Sequence, residues 1–350
     1  MRQLRIKNAA EEAGYYHAIC RTVGKEFLFA EEEEKRRLLL WLEKAVDFCG
    51  VEVRAWCLMS NHLHFLVKVP PLTQVSDEEL DRRMRILYLP KRYEAIMHDW
   101  ETWRKLDGDD RRVEAAKAKL RRRMYDISWF MKTFKQAVAQ DYNARHDFSG
   151  SIWGGSRFKS VYLEGSLDVQ LSVAAYIHLN PVRAGMVSSP EQYAWSSWGQ
   201  ACARNGRARS GLLRIYADML PDAQPPSWKQ VKANLEVIQT QDAAKTGIVL
   251  TQPEGAPVPS ETSSPAPAVA QKLTVRAPEF SASPLLGSAT FIRRYYAIPI
   301  PPRGAQSPRQ ERQQHAHRRL CPIATAAGTT ICAVGTRSLG RSRIAYTHAK

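Results

Sequence analysis

Within the run Met59-Ser60-Asn61-His62-Leu63-His64-Phe65-Leu66-Val67, two histidines stand two positions apart. On a strand, side chains at i and i+2 point to one face, so His62 and His64 present paired imidazoles while Leu63 and Phe65 turn the other way. Neutral imidazoles held side by side make half of a metal site. An exposed polar strand face accounts for the tripeptide equally well. A zinc hydrolase built on this pair needs further ligands: Phe65-Leu66-Val67 follow the histidines, and the sequence has neither C-x-x-C nor H-E-x-x-H.

The second chemical candidate lies in Ala174-Ala175-Tyr176-Ile177-His178-Leu179-Asn180-Pro181-Val182-Arg183-Ala184-Gly185. Tyr176 falls near the end of a predicted helix. By pattern alone, a tyrosine on an apolar helix is a core residue with a satisfied hydroxyl. Asn180, four residues on, shares the face of Tyr176 and also suits the N-cap of a turn begun by Pro181. His178 faces away and is not expected as a ligand. His17, on the first strand, has no assigned partner and reads as packing or structural hydrogen bonding.

The elements that must position these residues follow from periodicity. Tyr15 to Val23 reads as a strand bounded by Gly24. Glu31 to Glu34 opens a helix that Gly50 stops. Val51 to Leu58 and Leu63 to Val69 read as strands around Met59-Ser60-Asn61, with Pro70 and Pro71 ending the second. Residues 76–125 read as an inserted, charged helical arm. Tyr125 to Arg145 is amphipathic, Phe158 to Leu163 is a short strand, and a last helix starts with Asp168 as its cap and stops before Pro181. The result is an α+β chain with the βαββαβ order of a ferredoxin-like fold. We expect a domain over 1–240, a Pro/Ala/Ser-rich linker over 241–270, and a poorly ordered basic tail over 271–350, of which 300–350 reads as a decayed or frameshifted end.

Composition limits the function classes. The chain of 350 residues has 51 Lys and Arg against 35 Asp and Glu, a net charge of +16 that favours polyanionic partners. The excess is uneven: from Lys245 onward there are 14 basic and 4 acidic residues, so residues 1–244 carry 37 and 31. The patterned part is only mildly basic. Cys20, Cys49, Cys57, Cys202, Cys321 and Cys332 form no C-x-x-C pair and suit a reducing cytoplasm. No apolar run has the length of a membrane span or a secretory leader. The expectation is a cytoplasmic protein without a membrane partner.

Taken together, H-x-H, the Trp153-to-Ser160 stretch W-x-x-S-R-F-K-S and Y-I-H-L-N-P-V-R-A-G resemble the HUH-type single-tyrosine transposases. The resemblance is strongest to the branch that includes REP-associated tyrosine transposases. It spans roughly residues 12–200 and includes Tyr16-His17, Cys57-Leu-Met-Ser-Asn-His-Leu-His and Tyr193-Ala-Trp-Ser-Ser. It implies an endonuclease domain in which His62 and His64 hold Mg²⁺ or Mn²⁺, Asn180 stands where a third ligand is often placed, and Tyr176 matches the nucleophile. It also implies single-stranded or hairpin DNA as partner, a covalent 5′-phosphotyrosine intermediate and no nucleotide cofactor. Relatives include monomers and helix-exchanging dimers.

Trp153, Arg157, Lys159, Arg183 and the cluster Arg121, Arg122 and Arg123 are the candidate DNA contacts. For each the ordinary alternative is a core aromatic or a solvated charge. Against the nuclease stands a domesticated, non-cleaving nucleic-acid-binding protein, although both histidines and the tyrosine are retained.

Overall fold

The computed structural model describes residues 5–155, 158–219, 224–245, 250 and 284–296, together with the backbone of 320–324 and 330–334. Strands β1 (Gly14–Arg21), β2 (Glu52–Leu58), β3 (His62–Val69) and β4 (Lys159–Leu163) form an antiparallel core in the order β2-β3-β1-β4. Between β1 and β2 runs α1 (Glu32–Cys49), whose first turn holds Glu32, Glu33 and Glu34. It ends at Gly50, where a φ of 65° needs a residue without a side chain.

After β3 come α2 (Asp77–Leu87), α3 (Pro90–Asp107) and α4 (Arg111–Arg121), which form the expected arm. Ser76 caps α2 by accepting from the Glu79 amide. The chain then returns through α5 (Ile127–Arg145), capped by Asp126, to β4. This is βαββαβ in order and connectivity, with the arm inserted between β3 and α5.

Register decides which side chains share a face, because directly opposed residues of antiparallel strands point the same way. Ile19 faces His64, Arg21 faces His62 and Ile19 faces Lys159. One face therefore carries Arg21, Ile19, His17, His62, His64 and Lys159. The other carries Ala18, Cys20, Leu63 and Phe65, and Phe65 meets Phe134 of α5 edge-on at 5.4 Å between ring centroids. The hydrophobic layer under α1 and α5 thus fixes the pleat, and the pleat aims the histidines at the opposite side.

That side is covered by α6 (Leu167–His178), α7 (Asn180–Arg183), α8 (Ser197–Cys202), α9 (Gly206–Met219) and α10 (Trp228–Lys245). Asp168, expected as the cap of α6, lies within its first turn, and Ser166 occupies the cap position. Every residue of α6 from Val169 to His178 is buried. Gly211 lets α9 lie on β2: a Cβ there would stand 2.8 Å from the carbonyl oxygen of Arg54.

Beyond the core, β5 (Leu285–Ser288) pairs in parallel with β4, and α11 (Ala289–Tyr296) follows it. The backbones of β6 (Leu320–Ala324) and β7 (Thr330–Val334) complete the sheet order β2-β3-β1-β4-β5-β7-β6. Within the span expected as a poorly ordered tail, residues 284–296 are described. Leu285 and Leu286 are buried, the rings of Phe291 and Tyr295 pack on Tyr162, and Glu164 accepts from Ser288. The first five residues of the expected linker over 241–270 are the end of α10, and the rest of it apart from Leu250, with most of the remaining tail, lies outside the described residues. No helix among the described residues is long and apolar enough to cross a membrane.

Candidate active site

His17 of β1 and His64 of β3 are diagonal neighbours on the face beneath α6. His17 Nε2 lies 2.9 Å from His64 Nδ1, and the two rings stack at 5.2 Å. The His62 ring is 5.0 Å from that of His64. From the helix layer, the Tyr176 ring comes down edge-on to both inner histidines, 5.7 Å from His17 and 6.0 Å from His64. Strand pairing and one packed helix therefore bring together three imidazoles and one phenol from positions 17, 62, 64 and 176.

The ring nitrogens are divided by their contacts. His64 Nδ1 is engaged by His17, and His62 Nδ1 lies 2.6 Å from Asn61 Oδ1. The remaining nitrogen of each, Nε2, is the one available as a lone-pair donor. Tying Nδ1 to fix the ring and its tautomer is how proteins orient metal-binding histidines. Burial, with the nearby Arg21 charge adding to it, pushes His62 down to about 4. His64 is also held well below the ordinary imidazole range, first by burial and then by His17 and His62. Both rings are neutral near pH 7 and so have the form that a cation requires.

These donors fit a hydrated divalent ion better than a closed zinc site. Among the described residues, no group of three or more His, Cys, Asp or Glu is arranged to hold a metal. Mg²⁺ and Mn²⁺ retain water and substrate oxygens, so two imidazoles with an amide oxygen can complete a sphere that solvent and phosphate fill. Asn180 lies at the right end of α6, but its Nδ2 donates to the carbonyls of Tyr176 and Ile177 at 2.9 and 3.3 Å. It is part of α7 and closes the end of α6 instead of acting as an N-cap. Its Oδ1 is the atom a cation would use.

The tyrosine helix is held by charge and by a buried polar chain. Arg183 donates to the Tyr176 carbonyl at 2.9 Å, places its guanidinium 4.7 Å over the Tyr176 ring, and pairs with Asp242 of α10. His178 is fully buried, with Nε2 2.9 Å from Ser197 Oγ and Nδ1 3.3 Å from the Gln239 amide nitrogen. It points to the α8 and α10 side, away from the metal-binding candidates.

The candidate DNA contacts separate into different groups. Lys159 is exposed on the histidine face, and Arg21, which sequence reasoning missed, is exposed opposite His62. The alternation His17, Ile19, Arg21 was the available signal. Trp153 is buried against Phe29 and Phe134, and its indole donates to the Lys135 carbonyl, so its ring offers no stacking surface. Arg183 is occupied by Tyr176 and Asp242. In the arm, Arg121 pairs with Asp77, and Arg123 reaches Tyr88 and Thr133 over the Phe48 ring. Arg122 is exposed. Two of the three cluster residues, Arg121 and Arg123, thus have partners that hold the arm. Arg157 lies outside the described residues.

Residues 11–78 match the family model described as Transposase IS200 like. No curated protein sequence matches the chain. Among solved structures, that of a REP-associated tyrosine transposase bound to a REP hairpin is similar, at 16% identity and a TM-score of 0.35, over 58% of this chain and 87% of that one.

Proposed function

We propose that this chain, whose residues 11–78 match the model of the IS200-like transposases, is a metal-assisted endonuclease and strand transferase of single-stranded or hairpin DNA, with Tyr176 as its nucleophile. The observation that carries the reading is the position of the Tyr176 ring, 5.7 and 6.0 Å from the rings of His17 and His64. A phenol buried beside His64, which is neutral and has its Nδ1 already engaged, suits a site where a phosphate oxygen and a cation meet the nucleophile.

His62 and His64, through Nε2, and Asn180, through Oδ1, would hold Mg²⁺ or Mn²⁺. When bound, the ion withdraws charge from a phosphoryl oxygen and orients it. Tyr176 gives up its phenolic proton and its oxygen forms a bond to phosphorus. The bond from phosphorus to the 3′ oxygen breaks, that oxygen takes a proton, and the downstream strand remains joined to Tyr176 as a 5′-phosphotyrosine. Because the phosphodiester energy is retained in the new ester, a 3′-hydroxyl can reverse the attack and join strands without a nucleotide cofactor. His17 orients His64, Arg183 orients the end of the tyrosine helix, and Arg21 and Lys159 supply positive charge beside the incoming phosphates.

The test is cleavage of an end-labelled hairpin oligonucleotide with a single-stranded flank in Mn²⁺, with chelator as control. Cleavage that requires the ion and leaves a 3′-hydroxyl supports the reading. Binding without cleavage across Mg²⁺ and Mn²⁺ concentrations favours a domesticated binding protein.

A further inference from the structure

On the side of the sheet away from Tyr176, an open groove of about 520 Å³ runs between α5 and Ser151, Trp153, Gly155 and Phe158. Arg5, Lys132 and Lys135 line it with Ser128, Trp153 and Phe158, and no carboxylate is among its described lining residues. Lys135 is the unusual member. It is only 8% exposed, its ammonium donates to the Gly155 carbonyl at 3.1 Å, and it forms no ion pair among the described residues. A buried cation without a counter-charge is costly, and burial holds its pKa below the ordinary lysine value. Lys132 stands one turn away and is exposed. An anion entering the groove would compensate both.

A segment that lines the groove is tied to the strand end that carries Arg21. The Trp153–Gly155 segment docks on the end of β1: Gly154 donates to the Arg21 carbonyl at 2.8 Å, and Thr22 bridges to Trp153. Gly154 permits this approach, since a Cβ there would stand 2.6 Å from the Thr22 carbonyl oxygen. Arg21 faces His62 on the other side of the same strand end. A chain leaving the groove thus meets Arg21 and Lys159 before it reaches the histidines. Inside the groove, Trp153 is packed away and Arg5 lies 3.7 Å over the Phe158 ring, so neither ring is open to a base. The groove offers charge and hydrogen bonds in place of stacking.

We propose that this groove binds the phosphodiester backbone of the single DNA strand that flanks the cleaved phosphate, and that the strand passes around the end of β1 to Tyr176. The proposal rests on the nuclease reading for the identity of the strand. Recognition is of the backbone and is indifferent to base sequence.

The test measures binding of a fluorescent single-stranded oligonucleotide to the full chain carrying Tyr176→Phe, over a series of salt concentrations. Lys132→Gln combined with Lys135→Met should weaken binding about tenfold and reduce the slope of log affinity against log salt by about 1.4, the loss of two phosphate contacts. Lys135→Met should leave thermal stability equal or higher, because it replaces an unpaired buried charge with an apolar chain of similar length. Lys132→Gln alters an exposed residue and by itself should reduce the slope by about 0.7. Unchanged affinity and slope in both variants would overturn the groove alone. Failure of the parent protein to bind any single strand would overturn the groove together with the nuclease reading.

Discussion

His17 Nε2 and His64 Nδ1 lie 2.9 Å apart, joining β1 to β3 by side chains directly beneath the tyrosine helix. One ring must donate and the other accept, and only donation from His64 leaves its Nε2 lone pair free for a cation. Under the proposed function His17 would act as a positioning residue. His17→Gln should raise the Mn²⁺ concentration for half-maximal cleavage by about 10- to 100-fold. Most of the rate should return at saturating Mn²⁺. An unchanged metal requirement would reduce His17 to packing.

Arg183 and Asp242 tie the end of the tyrosine helix to α10, with side chains only 15% and 11% exposed. Removing one partner leaves a largely buried charge, so Asp242→Asn should destabilise the protein by about 3 kcal/mol in urea unfolding. Adding Arg183→Met to that variant should cost much less than the sum of the single changes. Simple additivity would mean that the pair is not coupled.

His178 gives a pH signature of its own. Burial lowers it to about 3, and its two nitrogens are engaged by Ser197 and the Gln239 amide. In the unfolded chain the ring takes a proton near pH 6.5, whereas the folded ring stays neutral well below that. The unfolded state therefore binds more protons in this window, and stability is lost as pH falls from 6.5 toward 3. The loss approaches about 1.4 kcal/mol per pH unit from this residue. Unfolding at pH 7.5, 6 and 5 should show a steeper decline for the parent than for His178→Gln. Parallel declines would mean that His178 titrates normally.

The basic residues divide by what they already touch. Arg21→Gln and Lys159→Gln should each weaken single-strand binding and lower its salt slope by about 0.7. Arg121→Gln should not, because that guanidinium is paired with Asp77. Its stability cost should be small, about 0–1 kcal/mol, as for other partly exposed pairs. Equal effects on DNA binding from Arg21→Gln and Arg121→Gln would contradict the assignment of the histidine face as the DNA path.

Much of the core was legible because local patterns and tertiary packing agree. Alternation after Tyr16, the acidic opening of α1, Gly50 and the two prolines after Val69 each mark an element where it occurs. What was not legible depends on pairing across the chain. The partner of His17 follows only from the β1–β3 register, which no local pattern states. Lys117 and Arg121 look like a free basic face until α2 places Asp77 beside them. Leu285–Ser288 is too short to announce a strand, and its burial comes from β4 and Tyr162, more than a hundred residues earlier. Trp153 was named as both core and contact, and its packing against Phe29 decides for the core.

The most direct measurement is to trap the protein on a cleaved single strand in Mn²⁺, denature and digest it, and identify the modified peptide by mass spectrometry. The nuclease assignment predicts a nucleotide joined through its 5′-phosphate to Tyr176, with no adduct in Tyr176→Phe. Strand cleavage with Tyr176 unmodified, or an adduct that persists in Tyr176→Phe, would contradict it.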